Sequence, residues 1–149
     1  VPTIKVTVTS KVNVKTLFED LKREVDKAVH TGAILIKAEA VKQAPSDLSN
    51  LANSIEVFEE SSGDKIIYRV VAQAEYAKAV EYGSKPHTPP LDAILEWGKR
   101  RGMTQEQAYY VWKAIRKYGT RPHPYMAPSF HMYEDIVVDL VKKAVKGVV

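Results

Sequence analysis

The side chains best suited to move a proton or hold a metal in this chain are four histidines, His30, His87, His123 and His131. Helical metal sites often place two imidazoles one turn apart, at i and i+4, and no histidine pair here has that spacing. His123 and His131 are eight residues apart, but Pro124 and Pro128 lie between them and no carboxylate follows before Glu134. All four therefore read as surface or hydrogen-bonded histidines. Glu75 and Glu81 bracket Tyr76-Ala77-Lys78, yet a carboxylate pair acting on a glycosidic bond needs a cleft that the sequence does not announce. The serines between Ser46 and Ser54 lack the sharp glycine-flanked turn that exposes a nucleophile. No glycine-rich loop is present to cradle a phosphate. With no cysteine, thiolate and disulfide chemistry are excluded. The expectation is a protein that is not an enzyme, with no catalytic residues, metal or cofactor.

The chemistry that remains is electrostatic. Residues 1–64 carry eight Lys/Arg against ten Asp/Glu, while residues 65–98 and 122–149 are balanced. Between Lys99 and Arg121, seven cations stand against the single Glu106, so the positive excess lies in this stretch. Lys99, Arg100, Arg101, Lys113, Arg116 and Lys117 are thus candidate contacts for a polyanion or an acidic protein surface. A solvated helix face is the plainer alternative.

Composition bounds the rest. At 149 residues, 45% hydrophobic and 27% charged, the chain reads as a single domain, 1–149, with its own core. No apolar run reaches the ~18–20 residues of a membrane span, and Val1 opens no signal-peptide layout. The expected setting is the cytoplasm, followed by incorporation into an assembly.

Periodicity supplies the elements that position these residues. Thr3–Thr9 alternates around Ile4, Val6 and Val8 and reads as a half-buried strand. Thr16 and Glu19 have capping-box spacing, and apolar residues from Leu17 to Ala40 then recur at helical spacing. A helix to about Ala44, ended by Pro45, spans roughly 28 residues and about 42 Å. Gly32 in its middle suggests close helix packing or a slight bend. Ser46–Asn53 is turn-forming. Ile55–Glu59 and Lys65–Ala72 read as a hairpin around Ser61-Ser62-Gly63-Asp64.

Tyr76–Tyr82 reads as a short helix closed by Gly83. Pro89-Pro90 opens a helix that ends at Gly102, and Thr104 caps another that stops at Gly119. Its cations are expected outward and its aromatics inward, with Trp97 and Trp112 packing the two helices together. Thr120–Pro128 is too proline-rich for a central strand and reads as an extended connector. A last helix runs from about Ser129 to Lys146. The fold class is α+β: a small, mainly antiparallel sheet packed against the long N-terminal helix and the C-terminal helix, with an inserted αα-hairpin at about 86–118.

Three segments carry a resemblance. They are Ala44-Pro45-Ser46-Asp47-Leu48-Ser49-Asn50-Leu51-Ala52-Asn53-Ser54-Ile55, Ala74-Glu75-Tyr76-Ala77-Lys78-Ala79-Val80-Glu81-Tyr82-Gly83, and Tyr118-Gly119-Thr120-Arg121-Pro122-His123-Pro124-Tyr125-Met126-Ala127-Pro128. In this order they resemble the signature segments of the gene-product-ten-like family of neck proteins in long-tailed bacteriophages, which complete the tail or join it to the head. Lys85–Tyr118 then stands as an insertion between the second and third segments. The resemblance implies a structural virion protein at the head–tail junction, made in the host cytoplasm. It also implies a homo-oligomeric ring of about six or twelve subunits around the DNA passage. Partners would be neighbouring connector and tail proteins and, without sequence specificity, packaged DNA; no membrane is involved. The expected subunit interface comprises Tyr76, Tyr82, Gly83, Arg121, Pro122, Tyr125, Met126 and Pro128, because prolines and aromatics supply contact area at small entropic cost. Tyr82, Tyr125 and Met126 serve equally well as fillers of the monomer core.

A nucleic-acid reading competes. Leu91–Arg101, Gly102-Met103 and Thr104–Tyr118 have helix-turn-helix lengths. The first turns of the second helix hold Gln105, Glu106 and Gln107 and the cations cluster at its far end, which suits phosphate contact better than base reading.

Overall fold

One long helix, α1 (Val14–Gln43), is the spine on which the rest of the chain packs. The computed structural model describes residues 4–5, 13–45 and 50–149. Leu21, Val25, Ala28, Val29, Ala33, Ile36 and Ala40 recur at three- and four-residue spacing and are buried along one side of α1. The expected Thr16–Glu19 capping box does not open this helix. Asn13 is its N-cap, without a side-chain cap bond, and the Leu17 amide already donates to the Asn13 carbonyl. At the other end Ala44 turns extended (φ −61°, ψ 136°), as the residue before a proline prefers.

The next elements form a hairpin against α1. A single turn, α2 (Asn50–Asn53), occupies part of the expected turn region; Ser46–Ser49 lie outside the described residues. β2 (Ile55–Glu59) pairs antiparallel with β4 (Tyr68–Ala72), from Ile55 opposite Ala72 to Glu59 opposite Tyr68. The same register continues to the bridge between Ser62 and Lys65, with Gly63 at φ +59° in the two-residue turn. β3 (Lys65–Ile66) pairs instead with β1 (Ile4–Lys5). The described strands thus form two two-stranded ladders rather than one sheet; the remainder of the expected Thr3–Thr9 strand lies outside the described residues. Tyr68 ties the hairpin to α1: its hydroxyl donates to Asp26 at 2.9 Å and its ring stacks on His30, centroids 4.8 Å apart.

After α3 (Ala77–Tyr82), helices α4 (Leu91–Arg100) and α5 (Gln105–Tyr118) pack on each other. The final helix, α6 (Met126–Val148), lies antiparallel along α1. The two are tightly packed at Gly32, since a Cβ there would stand 2.5 Å from Val137 Cγ2. Close packing is therefore the reason for this glycine. The core runs along α1 in two clusters. One joins Leu21, Val25, Val29 and Ala33 to Ile66, Tyr68 and Val141. The other joins Ala40 and Ala44 to Leu51, Ile55, Ala77 and Tyr125. Each fully buried large apolar side chain, such as Leu21 or Ile55, contributes about 1.5–3 kcal/mol. The architecture is α+β, dominated by helix.

α6 starts three residues earlier than the proline content suggested, at Met126 rather than Ser129. Pro128 is accommodated because the first turn of a helix has no carbonyl waiting for its amides.

Candidate functional site: a junction of three motifs

The three signature segments meet in the second core cluster. Ala44, Leu51 and Ile55 come from the first, Ala77 from the second and Tyr125 from the third, and all five are buried. Tyr125 is 1% exposed, and burial, then the charges of Glu81 and Tyr76, push its phenol up to about 12. Of the expected interface residues, Tyr125 thus sits inside the subunit and supports the surface from beneath.

Glu81 holds the second and third segments together. The α3 helix turns its side chain inward, leaving the residue 6% exposed, and aims the carboxylate at the start of α6. Its oxygens accept the amides of Tyr125 at 2.8 Å, Met126 at 2.9 Å and Ala127 at 2.9 Å. Burial alone would raise this carboxyl's pKa. The three amide bonds, from Met126, Tyr125 and Ala127, outweigh burial and hold it below its ordinary value. A helix N-terminus also favours the negative charge.

The backbone closes the same junction a second time. Ser84 and Thr120 exchange amide–carbonyl bonds at 3.1 and 3.2 Å, their hydroxyls lie 2.8 Å apart, and the His123 amide donates to the Val80 carbonyl at 2.7 Å. Such close strands leave no room for side chains. Gly83 and Gly119 both have φ +76°; a Cβ on Gly119 would lie 2.0 Å from the Ser84 carbonyl oxygen, and one on Gly83 2.7 Å from that of Thr120. The chain therefore leaves for α4 and α5 at Ser84 and returns at Thr120, at one place.

What the junction presents outward is aromatic and proline-rich. Tyr82 is 74% exposed and Tyr76 45% exposed. Arg121, Pro122 and Pro128 are exposed as well, while Gly83 and Met126 are half-buried. Beside Tyr82, an apolar groove of about 360 Å³ runs between α1, β4 and α6, lined by Val29, Ile36, Tyr68, Met126 and Phe130 among others.

The basic stretch lies elsewhere, on α4 and α5. Lys99, Arg100, Arg101, Lys113, Arg116 and Lys117 are all exposed. The expected separation of cations outside and aromatics inside holds only in part: Ala108 is buried and Val111, Trp112 and Ile115 half-buried, but Tyr118 is exposed, as are Tyr109 and Tyr110. Cations lie over rings, Arg101 over Trp97, Lys113 over Tyr109, Arg116 over Trp112 and Lys117 over Tyr118, at 4.7 to 5.5 Å. The helices meet through Gly98 and Ala108 rather than through Trp97 and Trp112, because a Cβ on Gly98 would be only 2.6 Å from that of Ala108. Trp112 instead donates its indole N–H to the Pro89 carbonyl at 2.8 Å. Thr104 and Gln107 form a capping box at the start of α5. Gly102, at φ +74°, makes the turn between the helices.

Among the described residues, no three His, Cys, Asp or Glu side chains converge as metal ligands, and no helix is long and apolar enough to cross a membrane. His87 lies beside the Lys85 carbonyl, His131 is 3.5 Å from Glu134, and His123 is exposed.

Residues 11–83, just under half of the chain, match the family model described as "Bacteriophage HK97-gp10, putative tail-component". Over this segment, which contains the first two motifs and ends at Gly83, the chain is similar to that family. The third motif lies beyond it but is bonded to it through Glu81 and Val80. No curated protein and no solved structure matches the chain.

Sequence reasoning missed Glu81 as the central polar residue. Its signal was a lone carboxylate among Ala77, Val80 and other apolar positions of a short helix, followed much later by Tyr-Met-Ala-Pro, a helix start without its own capping side chain.

Proposed function

We propose that this chain is a structural subunit of a phage tail that acts at the neck, completing the tail or joining it to the head. The supporting observation is the junction itself. A family match over residues 11–83 and a third motif outside that match are bonded together by the Glu81 carboxylate. Three backbone amides already engage this buried anion, which suits it to holding the junction in shape.

In this reading the subunits form a closed ring of about six or twelve copies around the DNA passage, through heterologous contacts between different patches of neighbouring subunits. Tyr76, Tyr82, Gly83, Arg121, Pro122, Met126 and Pro128 form one patch, with Tyr125 fixing it from inside. The cations of α4 and α5 contact a polyanion or an acidic partner, and neighbouring connector and tail proteins complete the junction in the virion. Particles assembled without this protein test the reading: heads and tails should accumulate unjoined. Normal, infectious tailed particles would refute it.

A second reading rests on the Gly102 turn, which gives α4 and α5 a helix-turn-helix connection. It requires tight binding to a defined duplex. The absence of any sequence preference in a duplex selection would dismiss it.

A further inference from the structure

Two exposed helix faces of this chain complement each other. On α5, Tyr110, Lys113, Ala114 and Lys117 follow one another at i, i+3, i+4 and i+7, and all four are exposed. On α6, Met132, Asp135, Ile136 and Asp139 repeat that spacing, again all exposed. Both faces read apolar, charged, apolar, charged, with lysine on the first and aspartate on the second. Each face spans about 10 Å along its helix axis.

Among the described residues of one subunit the α5 face has contacts only inside its own helix, Lys113 over Tyr109, Lys117 over Tyr118 and the Tyr110 hydroxyl to Glu106. Met132 is 54% exposed and Ile136 43%, more than the outer side of a solvated helix requires. No ion pair involves Asp135, Asp139, Lys113 or Lys117 among the described residues. α4 and α5 pack on each other and on the segment leading into them, through the His87 amide to Ile115 and the Trp112 indole to Pro89. The pair is rooted at the Ser84–Thr120 bridge, and its outer side remains free to meet another molecule.

We infer that the α5 face of one copy docks on the α6 face of a second copy, with Lys113 and Lys117 against Asp135 and Asp139 and the small Ala114 receiving Ile136. This inference rests on the ring reading and names the acidic partner of the basic stretch. DNA is the poorer occupant. Phosphates satisfy lysines but offer nothing apolar to Tyr110 and Ala114, and they leave the α6 face uncovered. Because the two faces differ, the contact is heterologous and repeats from copy to copy, as a ring requires.

The absence of native cysteine makes the test direct. Full-length chains carrying Ala114→Cys and chains carrying Ile136→Cys are mixed at high concentration and oxidised, and covalent dimers are counted against each variant alone. The mixture should give about tenfold more dimer than either variant by itself, a preference equivalent to about 1.4 kcal/mol. Adding Lys113→Glu and Lys117→Glu to the first chain should abolish the excess. Adding Asp135→Lys and Asp139→Lys to the second chain should then restore it, which a merely unfolded variant would not do.

Equal yields in the mixture and the single-variant controls would overturn the inference. Electron-microscope classes of the uncrosslinked wild type separate the two proposals. Rings without the 114–136 crosslink leave the ring reading standing and remove this contact, whereas crosslinked pairs without rings keep the contact and remove the ring. Salt-sensitive binding of mixed-sequence duplex that is lost in the lysine variants and not regained with the α6 changes, together with equal crosslink yields, assigns the stretch to DNA instead.

Discussion

Pro128 occupies the one position in the first turn of α6 whose amide Glu81 does not need to satisfy. Four amides open any α-helix without intrahelical acceptors. Here the Glu81 carboxylate accepts those of Tyr125, Met126 and Ala127, and the fourth position is a proline, which has no N–H. The Ser129 hydroxyl adds a bond at 2.5 Å to the Tyr125 carbonyl. A carboxylate in the second motif and a proline in the third thus complete one helix terminus between them.

Replacing Glu81 by alanine should therefore cost far more than an ordinary surface change. Three amides, one buried and two partly buried, lose a charged acceptor, and hydrogen bonds to charged groups are worth about 1.5–3 kcal/mol each before relaxation and water entry offset part of the loss. A net loss of about 3 kcal/mol, read from urea unfolding, is expected. A loss below about 1 kcal/mol would show that the terminus finds water as readily as it finds Glu81.

The same carboxylate makes stability depend on acid. Its pKa is lowered in the folded chain, so its contribution is complete above the unfolded value of about 4.3 and is lost as pH falls through the folded one. Glu81→Gln removes the titrating group. The stability gap between wild type and this variant should be constant from about pH 6 upward and narrow below about pH 4. A gap that widened on acidification would contradict the assignment.

Gly32→Ala sets two effects against each other. Alanine gains about 1 kcal/mol of helix propensity, but its Cβ would sit 2.5 Å from Val137 Cγ2, and overpacking costs about 1–3 kcal/mol. Net destabilisation is expected by thermal unfolding. Combined with Val137→Ala, the glycine change should become neutral or favourable relative to Val137→Ala alone, giving a coupling above about 0.5 kcal/mol in the double-mutant cycle.

Two glycines with nearly equal φ should respond differently to alanine. Gly102, at +74°, has open space around its missing Cβ, so only backbone strain of about 1–2 kcal/mol is at stake. On Gly119, at +76°, a Cβ would lie 2.0 Å from the Ser84 carbonyl oxygen, so an added methyl must part the two strands. Gly119→Ala should lower the unfolding midpoint more and speed hydrogen exchange at the Ser84 and Thr120 amides, while Gly102→Ala leaves those amides protected.

Reversing Lys113, Arg116 and Lys117 to glutamate should leave monomer stability nearly unchanged, because exposed charges contribute within about 0.5 kcal/mol. Any defect should appear in assembly. A large drop in the urea midpoint would make these cations part of the fold.

The sequence determined the elements wherever local chemistry alone decides them. Val14–Gln43 needed only helical periodicity and Pro45, Ile55–Glu59 only its β-formers and the Gly63-Asp64 turn, and α5 only Thr104 at one end and Gly119 at the other. It also determined the three motifs, whose order carries the family resemblance. Which of those residues are surface and which are core was decided by the tertiary structure. Tyr82 and Tyr125 look alike in the sequence, yet one is 74% exposed and the other 1%, because α3 turns Tyr82 outward while Glu81 pins Tyr125 against Ala40 and Ile55. The start of α6 was hidden for the same reason. A helix normally carries its own cap within a few residues, and this one takes its cap from a carboxylate 44 residues earlier. Periodicity and propensity report only what neighbours along the chain do to one another. A bond between distant segments enters only when the chain has folded.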